Sequence, residues 1–69
     1  MMRYPIEVFW SDEDLVWIAD VPDLAQCTAH GQSPREAVGE AEQAIDAWLA
    51  AAAATGRPIP APSHRAARA

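Results

Sequence analysis

The tetrapeptide Ser33-Pro34-Arg35-Glu36 constrains this chain more than any other stretch. A serine before a helix accepts a hydrogen bond from the backbone of its first turn. Proline tolerates the first helical position, where its missing N–H would have no partner anyway. A glutamate three residues after the serine completes a capping box. Val38, Ala41, Ile45, Trp48, Leu49 and Ala52 follow at helical spacing, which makes one apolar stripe. Gly56 fits the left-handed residue that closes a helix, with Arg57 just after it. The spacing predicts a helix from about Pro34 to Ala54. A helix with a single stripe needs one partner layer, and the preceding residues supply a sheet.

"YPIEVFW" (4–10) reads as a strand with Tyr4, Ile6, Val8 and Trp10 on one face and Glu7 and Phe9 on the other. "SDED" (11–14) is a turn, and "LVWIADV" (15–21) is a second strand, so the pair forms a hairpin. Leu15, Trp17, Ala19 and Val21 are expected on one face of that strand, Val16 and Ile18 on the other. Pro22 cannot donate a hydrogen bond, so "PDLA" breaks the ladder. "QCTAHG" (26–31) makes a short third strand. Its Cys27, Ala29 and Gly31 share a face and are small, so a helix backbone can come close there. "RPIPAPSHRAARA" (57–69) is expected to be extended, and mobile at its end. The fold class is therefore α+β: a three-stranded antiparallel sheet in the order β-β-β-α, with one long helix packed on one face. Residues 1–56 form the domain and 57–69 a Pro-rich tail.

At 69 residues the chain supports one small domain, which buries only about 60% of its unfolded surface. Hydrophobic residues make up 51%, and three are tryptophan, so disorder is not expected. All ten carboxylates lie between Glu7 and Asp46, where only Arg3 and Arg35 accompany them; the charge is −8 before Arg57. Such a body repels a phosphate backbone and attracts a basic partner, so no direct nucleic-acid binding is expected. A single cysteine makes no internal disulfide. The first ten residues lack the apolar core of a signal peptide, and no run of about 18 apolar residues exists. A cytoplasmic protein, without membrane contact, is the expectation.

Cys27, His30, Asp20 and Asp23 lie close together in sequence and could suggest a nucleophile, a base and an acid. Alternation places His30 on the opposite face from Cys27, so a dyad within one strand is geometrically poor. Cys27 reads as a small buried hydrophobe. His30 either caps the outer face or contacts a partner. Asp20 and Asp23 flank a proline turn, where Asp is ordinary. A zinc site needs about four ligands, and one Cys with His30 and His64 falls short. No phosphate-cradling glycine loop, nucleophile elbow or HExxH motif is present. No catalytic residue, metal or cofactor is expected. Asp12, Glu13 and Asp14 form a solvated hairpin tip, a partner patch or a metal cluster. Glu36 with Glu40, and Glu42 with Asp46, are like-charge pairs at i,i+4 that cost a little helix stability. They serve solubility or complementarity to a basic surface.

The pieces "YP", "WSDED", "IADVPDL", "CTAHGQSPREA", the helix ending in "WL" and "GRPIPAPS" occur in an order and spacing that resembles the N-terminal domain of HicB-like antitoxins, over about residues 4–63. The resemblance implies a partial ribonuclease-H-like fold, a β-β-β-α unit often closed by one more strand. It implies a partner: a small basic ribonuclease toxin of double-stranded-RNA-binding fold, called HicA. Ala25 and Gln26 stand where that family more commonly has Pro and Gly. Many members carry a second, DNA-binding domain that represses their operon; the chain ends at Ala69, so that role is not expected here. A nuclease-like fold is no argument for nuclease activity, since two-metal chemistry needs carboxylates gathered at one point.

The expected function is therefore that of an antitoxin-like binding protein, not an enzyme, which neutralises its toxin by steric and electrostatic occlusion. The alternative is an orphan scaffold of the same type that self-associates and acts through another partner. The candidate partner-binding residues are Asp12, Glu13, Asp14, Glu40 and Asp46. One helix covers one face of the sheet, so the other is expected to seek a second copy, as a dimer or tetramer, with Phe9, Trp10 and Trp17 as candidate interface residues.

Overall fold

A computed structural model describes residues 3–63. Three strands, β1 (Glu7–Ser11), β2 (Val16–Asp20) and β3 (Thr28–Gly31), precede one helix, α1 (Pro34–Thr55). The sheet order is β1-β2-β3, and both pairings are antiparallel. This is the α+β arrangement that the sequence predicts. No strand follows α1 among the described residues.

The register decides what each face carries. Val8 pairs with Ala19 and Ala19 with Ala29, while Trp10 pairs with Trp17 and Trp17 with Gly31. Partners across a sheet point the same way and neighbours along a strand point opposite ways. Val8, Ala19 and Ala29 thus share the face under α1. Phe9, Ile18 and His30 form the matching row on the other face.

The helix begins as its sequence demands. The Glu36 N–H donates to Ser33 Oγ at 3.0 Å, and the Glu36 carboxylate accepts from the Gln32 N–H. The return arm of the capping box therefore reaches one residue before the cap. Gly56 closes the helix at φ 74°, a left-handed conformation that costs glycine nothing. Ala37, Ala41, Ile45 and Ala52 are its buried residues. Ala37 takes the place expected for Val38, which is only half-buried. Three alanines in that stripe keep the helix backbone close to the sheet. Gly31 is where the approach is tightest: a Cβ there would meet the Ala37 nitrogen at 2.6 Å.

The core also holds Tyr4, Val21, Leu24 and Cys27. Its largest fully buried side chains are Leu24 and Val21, a thin core of the kind that a short chain can build. Leu24 sits in the loop between β2 and β3, which folds on itself. The Leu24 N–H donates to Val21 O, the Cys27 N–H to Leu24 O, and the Val21 N–H to Cys27 O. Trp48 pins the helix to this loop through Nε1, which donates to Ala25 O at 3.0 Å.

The strand ends differ from the sequence reading: β1 starts at Glu7 and takes in Ser11, β2 stops at Asp20 and β3 starts at Thr28, so Tyr4, Ile6, Val21 and Cys27 flank the ladder instead of joining it. Leu15 is not on the face of Trp17. It lies in the hairpin turn at φ 57°, 69% exposed, and its N–H donates to Ser11 O at 2.8 Å. A loop of this length re-enters the ladder most easily through a left-handed residue, so geometry overrides the β-propensity of leucine. Gln26 likewise stands outside β3, at φ 59°. That is the position where glycine is commoner in the resembling family.

Residues 57–63 carry no helix or strand, yet they are tied to the body. Tyr4 Oη donates to Pro60 O at 2.5 Å, and Ser63 donates to the Asp23 carboxylate from both its N–H and its hydroxyl, at 2.7 and 2.6 Å. The segment runs on the helix side, where Ile59 approaches Ile45 and Leu49, and not across the open face. The expected mobile end, with His64, Arg65 and Arg68, lies outside the described residues.

Candidate functional site

The cluster that most resembles a reactive centre is taken up by structure. Cys27 is buried. Burial first, and the charge of Asp20 second, push its thiol above the ordinary value of 9.0, so it is a poor thiolate. His30 is exposed on the far face, in register with Ile18. Asp20 accepts from the Thr28 hydroxyl at 2.9 Å, and Asp23 is held by Ser63. Among the described residues, no three of His, Cys, Asp and Glu gather where they could hold a metal ion.

What the molecule presents instead is three surfaces. The first is the tip of the hairpin. Asp12, Glu13 and Asp14 are all exposed there, with Leu15 at the crest. The tip is internally braced: Trp10 Nε1 donates to Asp12 at 2.8 Å, and the Asp14 N–H donates to Ser11 Oγ at 3.2 Å.

The second is a groove of about 910 Å³ beside α1. Asp46 and Glu42 line it from the helix, one turn apart, and Arg3 lines it from the segment before β1. Its apolar lining comes from Ile6, Ile45, Leu49 and Ile59. Glu40 is exposed on the same helix but does not line the groove. The five expected partner-binding acids thus separate into a tip trio, a groove residue and a lone helix residue.

The third is the open face of the sheet, with Phe9 49% exposed on the edge strand β1, beside Ile18 and Val16 of β2. Phe9 stands apart from the other two candidate interface residues. Trp10 and Trp17 belong to the helix-side face and pack edge to face, with ring centroids 5.5 Å apart. Trp17 packs against the core, and Trp10 remains 44% exposed at the edge.

Sequence patterning did not find the groove. Ile6, Ile45 and Leu49 read as ordinary core positions, and Ile59 as an isolated aliphatic among prolines. The groove exists because α1 lies over β3 and β2 and only lightly over β1. No periodicity encodes that offset. Among the described residues, no helix is long and apolar enough to cross a membrane.

A family model described as HicB_like antitoxin of bacterial toxin-antitoxin system matches residues 4–68, which includes the sheet, the helix and the extended segment. No curated protein and no solved structure matches the chain.

Proposed function

The chain belongs to the HicB-like antitoxin family of bacterial toxin–antitoxin systems, and from that premise we propose that it neutralises a small basic ribonuclease, a HicA-like toxin, by covering it. The mechanism is occlusion: bulk excludes RNA from the toxin, and charge brings the two proteins together. The role asks for no reaction on this chain. One observation carries the reading, the charge of −8 spread over residues 1–56 with Asp12, Glu13, Asp14, Glu40 and Asp46 all exposed. A field of that sign speeds encounter with a basic protein and repels RNA, so the antitoxin competes with RNA for the toxin's basic surface without binding the RNA itself.

Self-association belongs to the same reading. The open face keeps Phe9, Val16 and Ile18 together with no cover from the described residues, a patch that usually marks an interface. A two-fold pairing through that face leaves α1 and the hairpin acids free for the toxin.

The test is direct. A HicA-like toxin from the same host, sought first as a small basic reading frame next to this one, is purified and its RNA cleavage followed while this protein is added. Cleavage should stop near a one-to-one ratio, and association should slow strongly with rising salt. Cleavage that persists in excess antitoxin overturns the reading, and salt-independent association removes its electrostatic half.

A further inference from the structure

We propose that the groove beside α1 is the docking site for one basic, aliphatic-sided segment of the toxin; this rests on the antitoxin reading above and assigns it a place. The groove is formed by three separate stretches of chain. Glu42, Ile45, Asp46 and Leu49 come from α1, Arg3 and Ile6 from the segment leading into β1, and Ile59 from beyond the helix. The last wall is not loosely placed. Tyr4 holds it at Pro60, and Asp23 holds Ser63 three residues further on. Both anchors keep Ile59 at the edge of the groove, 38% exposed, instead of filling it.

The lining specifies the occupant. At about 910 Å³ the space is large for so small a protein and holds several side chains, not one. Ile6, Ile45, Leu49 and Ile59 call for aliphatic groups. Glu42 and Asp46 are exposed at i,i+4, a like-charge spacing that costs helix stability, and with Arg3 the charged lining still sums to one negative charge. A lysine or arginine flanking the aliphatic groups answers both features, and its sign matches the toxin. A second copy of this acidic body has the wrong charge for the same wall. The hairpin tip has charge as well. Asp12 is engaged by Trp10 and Asp14 by Ser11, however, and Leu15 is the one large aliphatic group there.

The experiment uses the full chain and the HicA-like toxin of the preceding test, with affinity and stability measured in parallel. Three variants are compared: Glu42→Lys with Asp46→Lys, Ile59→Asp alone, and Asp12→Lys with Glu13→Lys. The two groove variants should weaken binding by at least about tenfold, as loss of an interface anchor does, and the hairpin variant by less than about threefold. Ile59 lies outside the helix and the core cluster, so its variant tests the groove even if the helix double variant unfolds. Loss of binding in the hairpin variant with the groove variants intact overturns the proposal and puts the toxin on the tip. A groove variant that lowers the sedimentation mass of the isolated protein overturns it in favour of a second copy. A small molecule retained by wild type and lost from Ile59→Asp, seen by native mass spectrometry, overturns it in favour of a metabolite. Failure of the wild type to bind at all removes the antitoxin reading together with this one, whereas binding indifferent to the groove removes this one alone.

Discussion

On one face of the sheet Val8, Ala19 and Ala29 lie in register beneath α1. On the other, Phe9, Ile18 and His30 lie in register beneath nothing among the described residues. The helix-side Trp10 and Trp17 lie one row further along the strands. Within these two rows the covered side carries the smaller groups and the open side the larger. That inverts the usual order, in which bulk goes inside. The reason is distance. Ala37 and Ala41 bring the helix backbone down onto Ala29 and Gly31, so there is no room for bulk between the layers. Larger side chains pack around that close approach, Leu24, Tyr4 and Ile45 in the core and Trp17 against it, or lie on the open face. The covered face holds the domain together by fit, and the open face offers apolar area to another surface.

Substitutions separate the two faces by size of effect. Leu24→Ala should be the largest, at about 2–5 kcal/mol of unfolding free energy, because it empties a site with no solvent route to refill it. Chemical denaturation measures this; a loss below about 1 kcal/mol would mean that the β2–β3 loop is not part of the core. Gly31→Ala should follow, at about 1–3 kcal/mol, since its new methyl meets helix backbone and not a side chain that can swing away. An unchanged melting temperature would show that α1 sits further from β3 than described.

Gln26→Gly should act in the opposite direction and raise stability by about 1 kcal/mol, because it relieves a left-handed glutamine. A destabilised variant would place Gln26 elsewhere in φ. Phe9→Ser should change unfolding of the single chain by no more than about 0.5 kcal/mol, as an exposed position does. In sedimentation equilibrium the same variant should shift any self-associated species towards 7.5 kDa. A large loss of stability without change of mass would make the open face structural.

The smallest effect is alkaline. Cys27 has its thiol pKa raised on folding, so the stability it contributes is fully present below the ordinary value of 9.0 and is lost as pH rises through the higher folded value. Stability should be flat with respect to this group near neutrality and fall above pH 9 less steeply in Cys27→Ala. Alkylation of native protein should be slow, and fast in denaturant; rapid native labelling would contradict a buried thiol.

Much of this molecule is legible in its sequence. Ser33, Pro34, Glu36 and Gly56 mark the helix, and period-two runs mark the hairpin, because caps and alternation are local rules that a few neighbouring residues satisfy on their own. The small face of Cys27, Ala29 and Gly31 announces a close helix for the same reason. Leu15 and Gln26 were misplaced by composition, because turn closure selects a backbone angle that neither side chain advertises. Leu24 was overlooked because a loop residue between a proline and a cysteine carries no periodicity.

The candidate sites divide along the same line. The acids of the hairpin tip are adjacent in sequence and had to lie together. Asp46 shares a groove with Arg3 and Ile59 only because α1 is offset from β1 and because the chain beyond the helix returns to Tyr4 and Asp23. Local chemistry determined the elements, their order and the sign of the surface. Which face was covered, and where a groove remained, was decided by how closely an alanine-lined helix can approach a sheet. That distance depends on residues far apart in the chain, so it exists only once they are packed.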